Sequence, residues 1–190
     1  MRLFLALVPP EPVRDALLAA MEGVAGARWQ PGDQLHLTVR FIGQTDRHMA
    51  ADLDAQLARL RHPDFTVELA GAGLFEHRGR PEALWIGAGP PAPLQALHRK
   101  ADQACAVAGL VHESRAYRPH VTLARLPRGA GPVGEAMARI GRLGTLAFPA
   151  HALVLFESRL GGSGAHYEAL ARYRLGGDAG ADLPADARPA

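Results

Sequence analysis

Apolar positions along this chain change spacing several times between the period of a strand and the period of a helix. Residues 2–8 are an almost unbroken apolar run and predict a buried strand. Pro9-Pro10-Glu11-Pro12 then opens a helix over 11–22, with Pro and Glu in favoured first-turn places. Ala25–Gln30 predicts a short strand closed by the Pro31-Gly32-Asp33 turn. Leu35–Ile42 predicts another strand. Gly43-Gln44-Thr45-Asp46 ends it and caps a helix over 46–61, where Met49, Leu53, Leu57 and Leu60 recur at helical spacing. Strands are expected at 65–73 and at Ala83–Gly87, separated by a polar loop, His77-Arg78-Gly79-Arg80-Pro81. The Gly89-to-Pro93 break leads into a helix over 92–108, with Leu94, Leu97 and Ala101 on one face and Gly109 as its stop.

Val121–Leu126 predicts a further strand, followed by a loop at 127–132 and a short helix to about Gly141. Residues 145–158 supply one or two strands. Gly161-Gly162-Ser163-Gly164 is a hairpin turn, and His166–Leu175 is the return strand. Beyond it, Leu183 is the one large apolar residue, so 176–190 are expected to form a disordered tail. The pattern predicts an α+β fold for residues 1–175, a single domain. Each half carries a helix and a similar histidine-bearing strand, as expected of a weak duplication. Two pseudo-symmetric lobes would then place antiparallel sheets along a central cleft.

Composition narrows the picture. Hydrophobic residues make up 48% and charged residues 21%, as in ordinary globular proteins. No apolar run reaches the length of a membrane span. The apolar start is short and closed by prolines and Glu11, unlike a signal peptide, so a cytoplasmic protein without membrane contact is expected. Cys105 is the one cysteine, which excludes an internal disulfide and a cysteine-based zinc site. The net charge of +2 is too small to announce nucleic-acid binding by itself.

The candidate chemistry lies in two strings, His36-Leu37-Thr38-Val39 and His120-Val121-Thr122-Leu123. In a strand, residues i and i+2 share a face. Each string therefore sets one imidazole beside one hydroxyl. Imidazole suits proton transfer near neutral pH, and a hydroxyl can donate to an anionic oxygen. A single string would read as a sheet histidine with a satisfied hydrogen bond. Two, far apart in the chain, read as facing half-sites for acid–base chemistry on a phosphodiester. His36 and His120 are the catalytic candidates; Thr38 and Thr122 are the phosphate-binding candidates. No third ligand accompanies the histidines, so no metal and no cofactor are expected.

The context of the strings is Gln34-Leu35-His36-Leu37-Thr38-Val39-Arg40-Phe41 and Arg118-Pro119-His120-Val121-Thr122-Leu123-Ala124-Arg125. With the opening strand and Leu155-Phe156-Glu157-Ser158-Arg159, the sequence resembles the two-histidine (2H) phosphoesterase superfamily. The nearest branch is its RNA 2′,3′-cyclic phosphodiesterase, or 2′-5′ RNA ligase, family. The resemblance runs over about residues 1–175. It implies the duplicated two-lobe fold and hydrolysis of RNA 2′,3′-cyclic phosphate ends to a 2′-phosphomonoester. It also implies His36 as proton donor and His120 as proton acceptor, roles that the near-symmetric strings do not assign by themselves. The expected partner is an RNA or nucleotide ending in a 2′,3′-cyclic phosphate, bound by a monomer. Reversible 2′-5′ RNA ligation and a non-catalytic nucleotide- or RNA-binding module are the alternatives.

Further candidate contacts are Arg40, Phe41, Arg118, Arg125 and Tyr167. Arg40 shares face parity with His36 and Thr38. Arg125 lies five residues after His120, so an unbroken strand would turn it to the opposite face. Phe41 and Tyr167 read as core residues or base-stacking platforms.

Overall fold

The computed structural model describes residues 1–161 and 164–176. The Gly162-Ser163 turn tip and the expected tail from Gly177 onward lie outside the described residues. The chain runs β1 (Arg2–Leu7), α1 (Glu11–Ala20), β2 (Arg28–Trp29), β3 (Leu37–Gln44), α2 (Arg47–Ala58), β4 (Phe65–His77) and β5 (Arg80–Gly89). It continues α3 (Pro91–Val107), β6 (His120–Arg125), α4 (Gly134–Gly141), β7 (Leu146–Ala150), β8 (Ala152–Gly161) and β9 (Gly164–Arg174).

The fold is α+β, as expected, and every strand pairing is antiparallel. The nine strands form one sheet in the order β7-β4-β5-β6-β3-β1-β8-β9, with β2 added beside β6. Its two four-stranded halves, β7-β4-β5-β6 and β3-β1-β8-β9, meet at β6 and β3. A single registered pair, Leu37 opposite Val121, joins them. The pairing therefore mirrors itself about that one point: β6 corresponds to β3, β5 to β1, and β4 to β8.

Burial explains why these segments form these elements. β1 lies between β3 and β8, and Leu3, Phe4, Leu5, Ala6 and Leu7 are all buried, which is why its sequence is a run rather than an alternation. α3 buries Leu94, Leu97, Ala101 and Cys105, a stripe at helical spacing, and packs on β3 and β5. α2 packs on α3, while α1 and α4 pack together over β4 and β7. Asp46 caps α2, accepting the Met49 amide at 2.9 Å. Burial pushes the Cys105 thiol up to about 11, so it is a packing residue rather than a nucleophile. Among the described residues no helix is long and apolar enough to cross a membrane.

Three local expectations are corrected. β2 is two residues long, and a 3-10 turn over Gly32–Gln34 occupies the predicted turn. The segment His77–Pro81 is not an open loop but the tip of a long β4–β5 hairpin. There, Arg78 and Gly79 are the two turn residues, with φ 52 and 73, and His77 pairs with Arg80. Two successive positive φ values define the turn that suits a strand's twist.

The third correction concerns the two histidine strands. Each contains a bulge immediately after its threonine, and β3 has a second at Ile42, between the Phe4–Phe41 and Leu3–Gly43 pairs. In β3, Ala6 faces Thr38 but Leu5 faces Arg40, so Val39 is the extra residue. In β6, Trp85 faces Thr122 but Leu84 faces Ala124, so Leu123 is the extra residue. A bulge inverts the face of everything beyond it. Arg40 is therefore turned to the helix side. Phe41 and Arg125 are returned to the face of the threonines.

Candidate active site

The register at the centre of the sheet assembles the four signature residues. Leu37 opposes Val121, and both are fully buried. Continuing that register by one residue in each direction sets His36 across from Thr122, and Thr38 across from His120. All four side chains lie on the face opposite Leu37 and Val121. Directly opposed residues hold their Cβ atoms about 4.5–5.5 Å apart. Two strings distant in sequence thus become one patch of alternating imidazole and hydroxyl, each half-buried.

The two histidines are oriented alike. His36 Nδ1 lies 2.7 Å from the Gln34 carbonyl, and His120 Nδ1 lies 2.6 Å from the Arg118 carbonyl. A carbonyl only accepts, so each Nδ1 carries the proton and donates it. In the neutral ring Nε2 is then the free lone pair, available to take a proton. The same device occurs at the same offset, two residues back, in both strands.

Aromatic rings wall each imidazole. His36 lies 4.9 Å from the Phe4 ring and 5.3 Å from Tyr167, the latter edge-on. Phe4 in turn stacks on Phe156 at 5.2 Å. On the other side, His120 meets Phe75 edge-on at 4.7 Å and Trp85 at 6.0 Å. Phe4 and Trp85 occupy corresponding strands, β1 and β5; Phe156 and Phe75 occupy β8 and β4. Gly73 allows this packing. It pairs with Trp85, and a Cβ there would come within 2.2 Å of the indole.

Electrostatics follows from this enclosure. Burial lowers the pKa of His36 below the ordinary histidine value, assisted by the charges of His120 and Arg125 and opposed by the Gln34 hydrogen bond. Burial likewise lowers His120, assisted by Arg125 and opposed by the Arg118 carbonyl. Because each charge opposes the other, a proton on one imidazole disfavours a proton on its partner. That is the condition for one acid and one base in the same site.

The remaining candidates divide. Arg125 shares the histidine face after its bulge and its charge is felt by both rings, which corrects its expected orientation. Phe41 pairs with Phe4 and is 36% exposed, with the Arg2 guanidinium 5.2 Å from its ring centre. Tyr167 stands against His36 and Phe4. Arg118 is exposed and lends its backbone carbonyl to His120. Arg40 is not part of the site. It is 5% exposed and donates to Asp102 of α3 at 2.7 Å and to the Val111 carbonyl at 2.5 Å.

Phe4, Phe75, Trp85 and Phe156 were not among the sequence candidates. They come from four strands, and only the assembled sheet brings them to the imidazoles. Among the described residues no group of three or more His, Cys, Asp or Glu side chains is arranged to hold a metal ion.

Known proteins share this architecture. The sequence pattern of the 2′-5′ RNA ligase superfamily matches residues 9–162. An RNA 2′,3′-cyclic phosphodiesterase of Thermus thermophilus is 33% identical, over 95% of this chain and 93% of its own length. One from Aeropyrum pernix is 35% identical, but the match takes in 50% of this chain and 54% of that protein, so the chain spans about half its length. Escherichia coli LigT, crystallised with 3′-AMP, superposes with a TM-score of 0.74 at 25% identity, covering 92% of this chain and 97% of LigT.

Proposed function

Because the chain belongs to the 2′-5′ RNA ligase superfamily, we propose that it hydrolyses RNA 2′,3′-cyclic phosphate ends to 2′-phosphomonoesters by two-histidine acid–base catalysis, acting as a cytoplasmic monomer without a metal. The observation that carries this reading is the Leu37–Val121 register, which sets each histidine across from the other string's threonine.

Opening the ring needs a nucleophile and a leaving oxygen on opposite sides of phosphorus. In the proposed mechanism neutral His120 takes a proton from water through Nε2 as the water oxygen bonds to phosphorus. The P–O3′ bond breaks, and protonated His36 delivers its Nε2 proton to the departing 3′ oxygen. One water is consumed, a 3′-hydroxyl and a 2′-phosphate result, and the two histidines exchange protonation states. Burial makes the His36 imidazolium a stronger acid and so a readier donor to an alkoxide. Thr38 and Thr122 donate to the non-bridging oxygens, where charge accumulates. Arg125 adds a positive charge on the same face. The aromatic walls exclude water and offer ring faces to the terminal nucleotide.

The decisive experiment is product analysis on a short RNA ending in a 2′,3′-cyclic phosphate, in EDTA. A 2′-phosphate with full activity is expected. Activity abolished by EDTA and restored by a divalent ion would overturn the metal-free mechanism. The pH profile of kcat/KM should be bell-shaped. Both imidazole pKa values are lowered, so both limbs move toward acid from the ordinary histidine value of about 6.5, and the optimum falls on the mildly acidic side. Removing the positive charge, Arg125→Gln, should move both imidazole titrations in the free protein upward, read by NMR.

Threonine substitutions separate charge stabilisation from proton transfer. Thr38→Ala and Thr122→Ala are each expected to lower kcat by up to about 10²-fold, no more than the loss of one oxyanion donor. The pH profile should keep its shape, because neither hydroxyl titrates in this range. A shifted profile would instead make threonine a partner that tunes its neighbouring imidazole.

A further inference from the structure

A second feature adjoins the histidine patch. A groove of about 840 Å³ is formed by the β4–β5 hairpin tip, the far end of β6, β2 and the 127–133 loop. Five arginines line it, Arg28, Arg78, Arg80, Arg125 and Arg128, with Glu82 as the one carboxylate on its wall. Among the described residues none of these five guanidiniums makes an ion pair, whereas Arg40, Arg115, Arg139 and Arg159 all do.

Two details show that this concentration of charge has a local cost. Arg28 and Arg125 stand directly opposite one another on neighbouring strands. Like charges in that position repel and destabilise a sheet. Arg78 is the only non-glycine residue with positive φ among the described residues, at 52°, in a turn position that favours Gly, Asn or Asp. The hairpin accepts an unfavourable backbone conformation and carries a guanidinium at its tip.

Arg125 connects the groove to the chemistry. It lies on the histidine face, four ladder steps from His120 once the Leu123 bulge is discounted, or about 13 Å at about 3.3 Å per step. Arg80 of the hairpin tip is farther, six such steps along β5 from Gly87, the partner of His120, or about 20 Å. A single nucleotide held at the histidines does not reach across that span. A continuous anionic chain does.

We infer that this arginine groove holds the phosphodiester backbone of the RNA strand that leads to the cyclic end, so that the enzyme takes a single-stranded chain several nucleotides long. The inference rests on the reading of the histidine patch as the site of the cyclic phosphate. It adds the length and strandedness of the substrate. Guanidiniums recognise phosphate oxygens in a planar, two-pronged manner, which suits a repeating anion. Backbone contacts of this kind carry no sequence preference.

The test uses the intact protein and the triple variant Arg78→Gly, Arg80→Gln, Arg128→Gln. Arg125 is retained because it also faces the histidines. Glycine at position 78 suits the positive φ, so the variant is expected to melt no lower than the parent. Two readouts are needed. The first is binding of a 5′-fluorescein octauridylate with a 3′-hydroxyl, followed by anisotropy, which involves no catalysis. The variant should bind at least about tenfold more weakly, and the slope of log affinity against log salt should fall by about 2, as for three lost phosphate contacts on a single strand. The second is hydrolysis of the same octamer with a 2′,3′-cyclic end, against a 2′,3′-cyclic mononucleotide. KM for the octamer should rise with the variant, and KM for the mononucleotide should stay. Equal affinity and equal salt slopes in parent and variant would overturn the groove. So would a parent enzyme that uses octamer and mononucleotide with the same kcat/KM. If the parent binds the octamer in a salt-dependent, groove-dependent way but cleaves neither substrate, the groove stands and the catalytic reading fails.

Discussion

His36→Ala and His120→Ala are each expected to lower turnover of a 2′,3′-cyclic phosphate by about 10²–10⁴-fold, the range for loss of a positioned general acid or base. The two rings are equivalent in their setting. Each donates Nδ1–H to the carbonyl two residues before it, and each keeps Nε2 free. Neither can replace the other, because in-line opening needs proton transfer on both sides of phosphorus. The double variant should therefore be little worse than the more damaging single one, since the two act in one transition state. Packing must be separated from chemistry here. His36 fills space between Phe4 and Tyr167, and His120 between Phe75 and Trp85. His→Gln fills more of that space and makes the better comparison when thermal melts of the alanine variants fall. Turnover near the parent value in a folded variant removes that histidine from the mechanism.

The site was legible in the sequence where it depends on local repetition. The two His-x-Thr strings identify themselves, and period two alone puts imidazole and hydroxyl on one face. The α+β class follows from alternating spacings along the chain. What the sequence does not display is the relation between strands. The bulges at Val39 and Leu123 arise from register with β1 and β5, and no local turn residue marks them. Parity along an unbroken strand therefore places Arg40 in the site and Arg125 outside it, and both placements are inverted. The aromatic walls come from β1, β4, β5 and β8, so they exist only after the sheet closes. The hairpin tip was hidden for a different reason. Arg78-Gly79 lacks the Asn-Gly or Asp-Gly signature of a tight two-residue turn, and the polar segment around it reads as a loop.

The inversion of Arg40 has a testable energetic consequence. Its guanidinium is 5% exposed and lies against Asp102 and Glu113, each 16% exposed, and the Phe41 and Val111 carbonyls also accept from it. Arg40→Met keeps much of the volume but takes one cationic partner from each of two largely enclosed carboxylates, leaving Asp102 with His112 and the Glu113 amide, and Glu113 with Arg115. Breaking a buried pair by removing one partner costs about 3–5 kcal/mol, and the remaining partners and partial solvent access of the carboxylates favour the lower end. A loss of about 3 kcal/mol in a chain of this size lowers the melting temperature by about 6–12 °C. The effect should depend on pH with a definite sign. Burial alone would raise Asp102, but hydrogen bonds from His112, the Glu113 amide and Arg40 hold it below the usual carboxylate value. The parent's stabilisation from this group is thus present above the unfolded value of about 3.9 and is lost as pH falls through the lower folded value. The difference between parent and variant should narrow in that acid range, where the carboxylate that has lost Arg40 becomes protonated. Asp102→Asn in the Arg40→Met background should recover part of the loss at neutral pH, because the enclosed charge that lost its guanidinium is gone. Activity per folded molecule should stay at the parent value throughout. An Arg40→Met protein that melts like the parent but has lost kcat/KM would place Arg40 back among the substrate contacts and refute the bulge as the reason for its absence from the site.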